Sequence, residues 1–261
     1  MLQPRLIPSL LVDQHLHLVK TTRFGERHYL GDPLNAAYVY SGYEVDELLV
    51  LDIDASSAGG HIPLAFVEAL ARFTRVPLAV GGGISSLEQI QSLLALGVER
   101  VVLGGALAKG LGFLSEAAKR FGSSTVSVIV NVSRGADGVA LGYFGRGGAR
   151  AAAPLLGVVC ACEAAGAGEI VVYDAEREGT RAGYDVSLYA GLNQALTVPL
   201  VALGGCGSEH HVEELLGATQ ISGIAAGSLF AYAPGTREVL LNYPQAASAL
   251  RRRMQRTQGA A

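Results

Sequence analysis

Four glycine clusters stand where backbone amides could cradle an anion. Gly81-Gly82-Gly83 closes a short apolar run and leads into a helical pattern at Ser85, and Gly104-Gly105 closes the next run. Gly204-Gly205 and Gly227-Ser228 repeat the arrangement later in the chain. Glycine leaves its N–H uncovered, and amides at a helix start attract negative charge. Gly82, Gly83, Gly104 and Gly105 therefore form one candidate phosphate cradle, and Gly204, Gly205, Gly227 and Ser228 a second. One glycine pair says little, since tight turns need glycine anyway. Two matched sets say more, and they point to a phosphorylated small-molecule ligand spanning one mouth.

Other residue types narrow the chemistry. Tyr173 and Asp174 end an apolar run, and Glu178-Gly179-Thr180 follows them. Glu178 and Thr180 are expected to touch a ligand, with Gly179 part of the second cradle. The six histidines show no metal-ligand spacing. His15, His17, His210 and His211 read as polar surface residues, though His15 and His17 lie on a long loop that could close over a ligand. Cys160 and Cys162 lack the second half of a zinc motif, and with Cys206 they read as reduced, buried thiols. No metal is expected. No organic cofactor is implied either, because no G-x-G-x-x-G follows a strand.

Strands and helices must position these groups. The runs Leu6–Val12, Leu48–Ile53, Leu78–Val80, Val101–Leu103, Val126–Val130, Ile170–Tyr173, Leu200–Leu203 and Ile221–Ala225 are continuously apolar, as in strands of a parallel sheet buried on both faces. Helical patterns such as Leu87–Leu96 and Val212–Leu216 lie between them. Asp32-Pro33 marks one helix start, and Ser85 with Glu88 suggests a capping box at another. Eight strand–helix units in a chain of 261 residues predict a (β/α)₈ TIM barrel, one domain over residues 1–261. The barrel reads as two similar halves: segments around Glu47 and Pro77 recur 122 residues on, around Glu169 and Pro199. Long loops at 13–31 and 133–150 are expected to be lids, the second with a small hairpin at 138–145.

A net charge of −3 gives no general attraction to nucleic acid or to an anionic membrane. Arg251-Arg252-Arg253 is read as a solvated helix end. The apolar stretch 151–168 is broken by Pro154, Glu163 and glycines, so no membrane span is expected, and no signal peptide is visible. A cytoplasmic protein is the expectation.

Arg5-Leu6-Ile7, Leu18-Val19-Lys20, Gly31-Asp32-Pro33, the segment Asp46–Ile53, Gly81–Ile84, Glu178-Gly179-Thr180, Gly183-Tyr184-Asp185 and Gly204-Gly205 together resemble the cyclase subunit family of imidazole glycerol phosphate synthase. The resemblance covers nearly the whole chain. It implies a substrate carrying two phosphates, and ammonia supplied by a glutaminase (class I amidotransferase) subunit docked on the barrel's bottom face. It also implies a general acid and base, two aspartates at the ends of the first and fifth strands. Here those positions hold Leu11 and Asn131. Leucine carries no proton, and a neutral amide is no base. Asp13 shares the inward face of Leu11 if the first strand continues that far; otherwise it is a loop residue. Asn131, Asp13 and Glu178 are thus the candidate catalytic positions. The family's ammonia gate falls on Arg5, Glu47, Arg100 and Glu169, with arginine replacing a lysine at position 100.

One branch of the family is similar in its Arg-Leu-Ile-Pro opening, its first-strand leucine and its Asp-Ile-Asp-Ala-Ser segment (Asp52–Ser56). That branch works with a glutaminase-like subunit and a third, sugar amidotransferase to convert an acetamido group on a surface-glycan sugar to an acetamidino group. Three readings follow from the resemblance: ammonia delivery in such a pathway, histidine-pathway cyclisation, and a non-catalytic phosphate-binding scaffold that activates the glutaminase.

Overall fold

The computed structural model describes residues 4–43, 45–145, 151–233 and 235–241. Strand β1 (Arg5–Val12) is followed by a hairpin of β2 (Leu18–Thr21) and β3 (Arg27–Gly31), and then by α1 (Pro33–Gly42). Three plain units follow: β4 (Leu48–Asp52) with α2 (Leu64–Phe73), β5 (Leu78–Gly81) with α3 (Leu87–Ala95), and β6 (Arg100–Leu103) with α4 (Gly112–Phe121). The second half opens with β7 (Val126–Arg134), β8 (Ala140–Tyr143), β9 (Ala153–Pro154) and α5 (Leu155–Ala164). It continues through β10 (Glu169–Asp174), α6 (Val186–Ala195), β11 (Leu200–Leu203), α7 (Glu209–Ala218), β12 (Gly223–Ala226) and α8 (Ser228–Ala231).

The ring β1–β4–β5–β6–β7–β10–β11–β12 closes on itself, every neighbour parallel. This is a (β/α)₈ barrel. Strand alternation divides the core in two. Leu6, Leu10 and Val12 of β1 face the shell between sheet and helices, which holds most of the buried apolar side chains. Ile7 and Leu11 face the lumen, with Leu49, Leu51, Val171 and Tyr173. Ser9 lies between Ile7 and Leu11 on that inward face, and its buried hydroxyl has no hydrogen-bond partner among the described residues.

Local signals explain where the helices begin and end. The Asp32 side chain accepts from Leu34 N–H at 2.8 Å, with Pro33 in the first turn of α1, as the sequence suggested. At α3 the capping box is one residue later than expected. Ser86 accepts from Gln89 N–H, and the Gln89 side chain accepts from Ser86 N–H. The helix starts at Leu87, so Glu88 is a first-turn acid rather than the reciprocal cap. Gly97, at φ +91°, ends α3: its N–H bonds to Leu94 C=O, and that of Val98 to Leu93 C=O.

β7 runs past the expected Val130 to Arg134, because β8 pairs with it antiparallel in the hairpin expected at 138–145. β1 stops at Val12, so Asp13 leaves the strand and does not share Leu11's inward face. Arg251–Arg253 lie outside the described residues. Among the described residues no helix is long and apolar enough to cross a membrane.

The repeat is also geometric. Asp52 accepts from Asp54 and Ala55 N–H at 3.0 and 2.9 Å. Asp174, one repeat on, accepts from Glu176 and Arg177 N–H at 3.1 and 3.2 Å. A Cβ on Gly82 would press on Asp52, and a Cβ on Gly204 on Asp174.

Candidate functional site

The C-terminal ends of β1, β4, β5, β6, β7 and β10 open onto a cavity of about 120 Å³. Leu11 and Asn131 occupy corresponding places in its wall. Leu11 is in register with Leu51 and Asn131 with Tyr173, and Leu51 and Tyr173 are repeat equivalents. The buried Asn131 amide donates to Gly145 C=O at 3.2 Å. Among the described residues Asp52 is the single carboxylate in the lining. Burial raises its pKa above the ordinary carboxylate value, against the pull of its two backbone hydrogen bonds. Among the described residues this lining holds no two facing carboxylates, the usual equipment for a paired acid and base.

Gly82, Gly83, Gly104 and Gly105 all line the cavity, as the first cradle requires. The second cradle is only partly assembled. A smaller hollow beside the cavity is lined by Lys20, His28, Gly179, Arg181, Ser228, Tyr232 and Arg237, and Thr21 lines both spaces. Of the second set, Gly179 and Ser228 reach this hollow; Thr180, Gly204, Gly205 and Gly227 do not line it. Close packing surrounds those glycines, against backbone at Gly204 and Gly205 and against a side chain at Gly227. A Cβ on Gly205, at φ +101°, would collide with Gly183 C=O, and one on Gly204 would stand 2.6 Å from Asp174 C=O. A Cβ on Gly227 would stand 2.7 Å from Lys20 Nζ. The Thr180 hydroxyl donates to Arg177 C=O at 2.7 Å.

Two candidate catalytic residues stay clear of both spaces. Asp13 turns back on its own loop, accepting from His15 and His17 N–H at 2.9 Å each. Glu178 is 1% exposed. It accepts from Lys20 Nζ at 3.0 Å and from Phe24 N–H at 3.4 Å, while its own carbonyl accepts from Arg23 N–H. Tyr173 hydrogen-bonds to it as well; burial first, then the Glu178 charge, pushes that phenol well above its ordinary pKa. Glu178 thus anchors the β2–β3 hairpin to the mouth.

Sequence reasoning missed Arg181 and Arg237, and it named Lys20 only within a motif. A lysine inside the apolar stretch Leu18–Thr21 was the available signal, since a buried ammonium needs an acid partner.

The four gate residues meet at the opposite end. Arg5 bridges Glu47 and Glu169, and Arg100 Nη1 reaches Glu47 at 2.7 Å. The Ser127 hydroxyl donates to Glu169 at 3.0 Å. Both carboxylates are buried while the arginines stay partly exposed, so the ring caps the lumen where it meets solvent.

The His15 and His17 rings lie 5.8 Å apart on the first loop, tilted by 44°, and the three cysteines are free thiols. Among the described residues no group of three or more His, Cys, Asp or Glu is placed to hold a metal.

A family model described as histidine biosynthesis protein matches residues 5–235. A Leptospira borgpetersenii protein with the provisional name imidazole glycerol phosphate synthase subunit HisF is 36% identical over 245 residues, 94% of this chain and 96% of its own. A Pseudomonas aeruginosa protein, provisionally named subunit hisF2 of the same synthase, is 36% identical over 246 residues, 94% of this chain and 97% of its own. A Streptococcus sanguinis protein named imidazole glycerol phosphate synthase subunit HisF is 32% identical over 232 residues, 89% of this chain and 92% of its own. Matched over nearly its whole length, the chain belongs to the histidine biosynthesis protein family, among its HisF-type cyclase-subunit barrels.

Proposed function

We propose that this barrel receives ammonia from a glutaminase subunit on its bottom face and releases it at the mouth beside a phosphorylated ligand. In this reading the ammonia serves the acetamidino modification of a surface-glycan sugar, with a third amidotransferase acting on the sugar and the complex working in the cytoplasm. The observation that carries it is the pairing of an intact charged ring with an altered mouth. Arg5, Glu47, Arg100 and Glu169 are all in contact with a ring partner, whereas Leu11 and Asn131 leave the cavity without a facing acid and base.

Lumen chemistry agrees. Between ring and cavity the inward residues are mostly apolar, among them Ile7, Leu49, Ala79, Val102 and Val201. An ammonium ion would lose its hydration there at large cost, while neutral ammonia crosses with little penalty. The apolar lumen above the ring then selects the uncharged form.

Histidine-pathway cyclisation is the second reading. Asp52 in the cavity lining and the glycines at 82–83 and 104–105 favour it. Genetic complementation separates the two. Expression in a histidine auxotroph lacking its cyclase subunit, together with that host's own glutaminase, is expected to give no growth without histidine. Growth at the wild-type rate would establish the cyclase and reverse the proposal.

A further inference from the structure

Helices α3 and α7 stand one repeat apart, and the third residue of each caps its start. In α3 that residue is Gln89, whose Oε1 accepts from Ser85 N–H at 2.8 Å and from Ser86 N–H at 3.2 Å. The repeat carries Ser85 onto Gly207, Ser86 onto Ser208 and Gln89 onto His211. The contact is kept: Gly207 N–H donates to His211 Nδ1 at 3.2 Å. The Ser208 side chain makes no cap hydrogen bond, whereas that of Ser86 does. The start of α7 therefore leans more on its third residue than the start of α3.

His211 also joins two loops. Its ring is half-buried over Gly183, where a Cβ would stand 3.3 Å from Cδ2. Gly183 N–H donates in turn to Gly205 C=O at 2.9 Å, and Arg177 Nη1 donates to Gly183 C=O at 3.2 Å. The turn after β11 and the loop after β10 meet at this imidazole.

An amide oxygen accepts at any pH, but an imidazole accepts at Nδ1 only while neutral. Protonated, both ring nitrogens donate, and the Nδ1 proton would face Gly207 N–H. A helix N-terminus also disfavours a cation. Burial holds the His211 pKa below its ordinary value, with the Glu214 charge opposing and His210 assisting. The other charges on the adjoining loop stay fixed in this range. They are Arg177, Arg181 and Asp185, the last paired with Arg134 at 2.7 Å. Since the folded pKa lies below the unfolded one, the stability that neutral His211 contributes is complete above pH 6.5 and is lost as pH falls through the folded value.

We infer that His211 is a pH-sensitive latch on one half of the mouth: protonation frees Gly207 and the turn after β11, while the Gln89 cap holds the turn after β5 at the same pH. One half-barrel responds because the repeat places a titratable ring there and an amide in the other. The latch is independent of the ligand that the mouth takes.

Amide resonances of the full-length protein, followed from about pH 8 to about pH 5, test this. Gly207 is expected to move together with the His211 ring, at a midpoint below 6.5, while Ser85 stays still. Protection of Gly207 against hydrogen exchange, corrected for the intrinsic rate, is expected to fall about tenfold across that step, the worth of one hydrogen bond. His211→Gln installs the α3 cap; it is expected to remove the step and hold the protection throughout, whereas His210→Gln leaves the step in place. The wild-type titration decides alone if the first variant unfolds. A Gly207 step without lost protection, a step that survives His211→Gln, an equal step at Ser85, or no step at all would each overturn the latch.

Discussion

Glu178 and Lys20 form a buried ion pair beneath the hairpin that follows β1. Burying two charges costs more than their attraction returns unless other groups complete them. Here the Phe24 amide and the Tyr173 hydroxyl complete the carboxylate. Removing one partner leaves the other charged and dry. Glu178→Ala is expected to lower the unfolding free energy by about 3–5 kcal/mol, read from urea denaturation, and Glu178→Gln by less, because the amide oxygen still accepts a hydrogen bond. A loss below about 1 kcal/mol, the scale of an exposed pair, would mean that water takes the place of the carboxylate. The sequence reading made Glu178 a candidate catalytic and ligand-contacting acid, whereas its carboxylate meets Lys20 and the Phe24 amide. Its place beside Gly179 and Thr180 suggested a ligand contact, and only the packed hairpin shows that the side chain turns inward.

Elements explain what was legible and what was not. The eight strands were readable because both-face burial writes continuous apolar runs; Leu11 and Asn131 were singled out by the family resemblance rather than by those runs, and both line the cavity. The partition of the glycines was not readable. The same residue serves an amide cradle at Gly105 and a tight backbone crossing at Gly205, and both demand a missing side chain. Arg181 and Arg237 lie in irregular chain, where no period reveals which way a side chain points.

The β2–β3 hairpin sits between these cases. It pairs with β1 at only two positions, Leu11 with Val19 and Val12 with Leu18. Arg27 grips Asp54 with its two terminal guanidinium nitrogens, at 2.5 and 2.6 Å. Such a partly exposed bridge contributes under about 1 kcal/mol to the whole fold, but it fastens the hairpin tip to the loop after β4. In Arg27→Ala the β2–β3 amides are expected to exchange hydrogen faster while the melting temperature barely moves. Hydrogen–deuterium exchange with calorimetry checks this, and a matching drop in melting temperature would make the bridge part of the global core.

The whole molecule joins a charged floor to an open mouth through an apolar lumen. If the floor gates ammonia from below, Arg5→Ala should depress glutamine-dependent turnover of the partner complex far more than turnover fed by ammonium salts, which enters from the mouth. Equal loss in both assays would make the ring a purely structural closure. The ring is also unevenly shared between the repeats. The first half contributes Arg5, Arg100 and Glu47, and the second contributes Glu169 with Ser127. Severed near Gly122, the chain would give one fragment whose floor is cationic on balance and one whose floor is anionic. Two copies of either fragment would set like charges face to face. On the charges of this ring alone, each fragment would favour its opposite over its own copy.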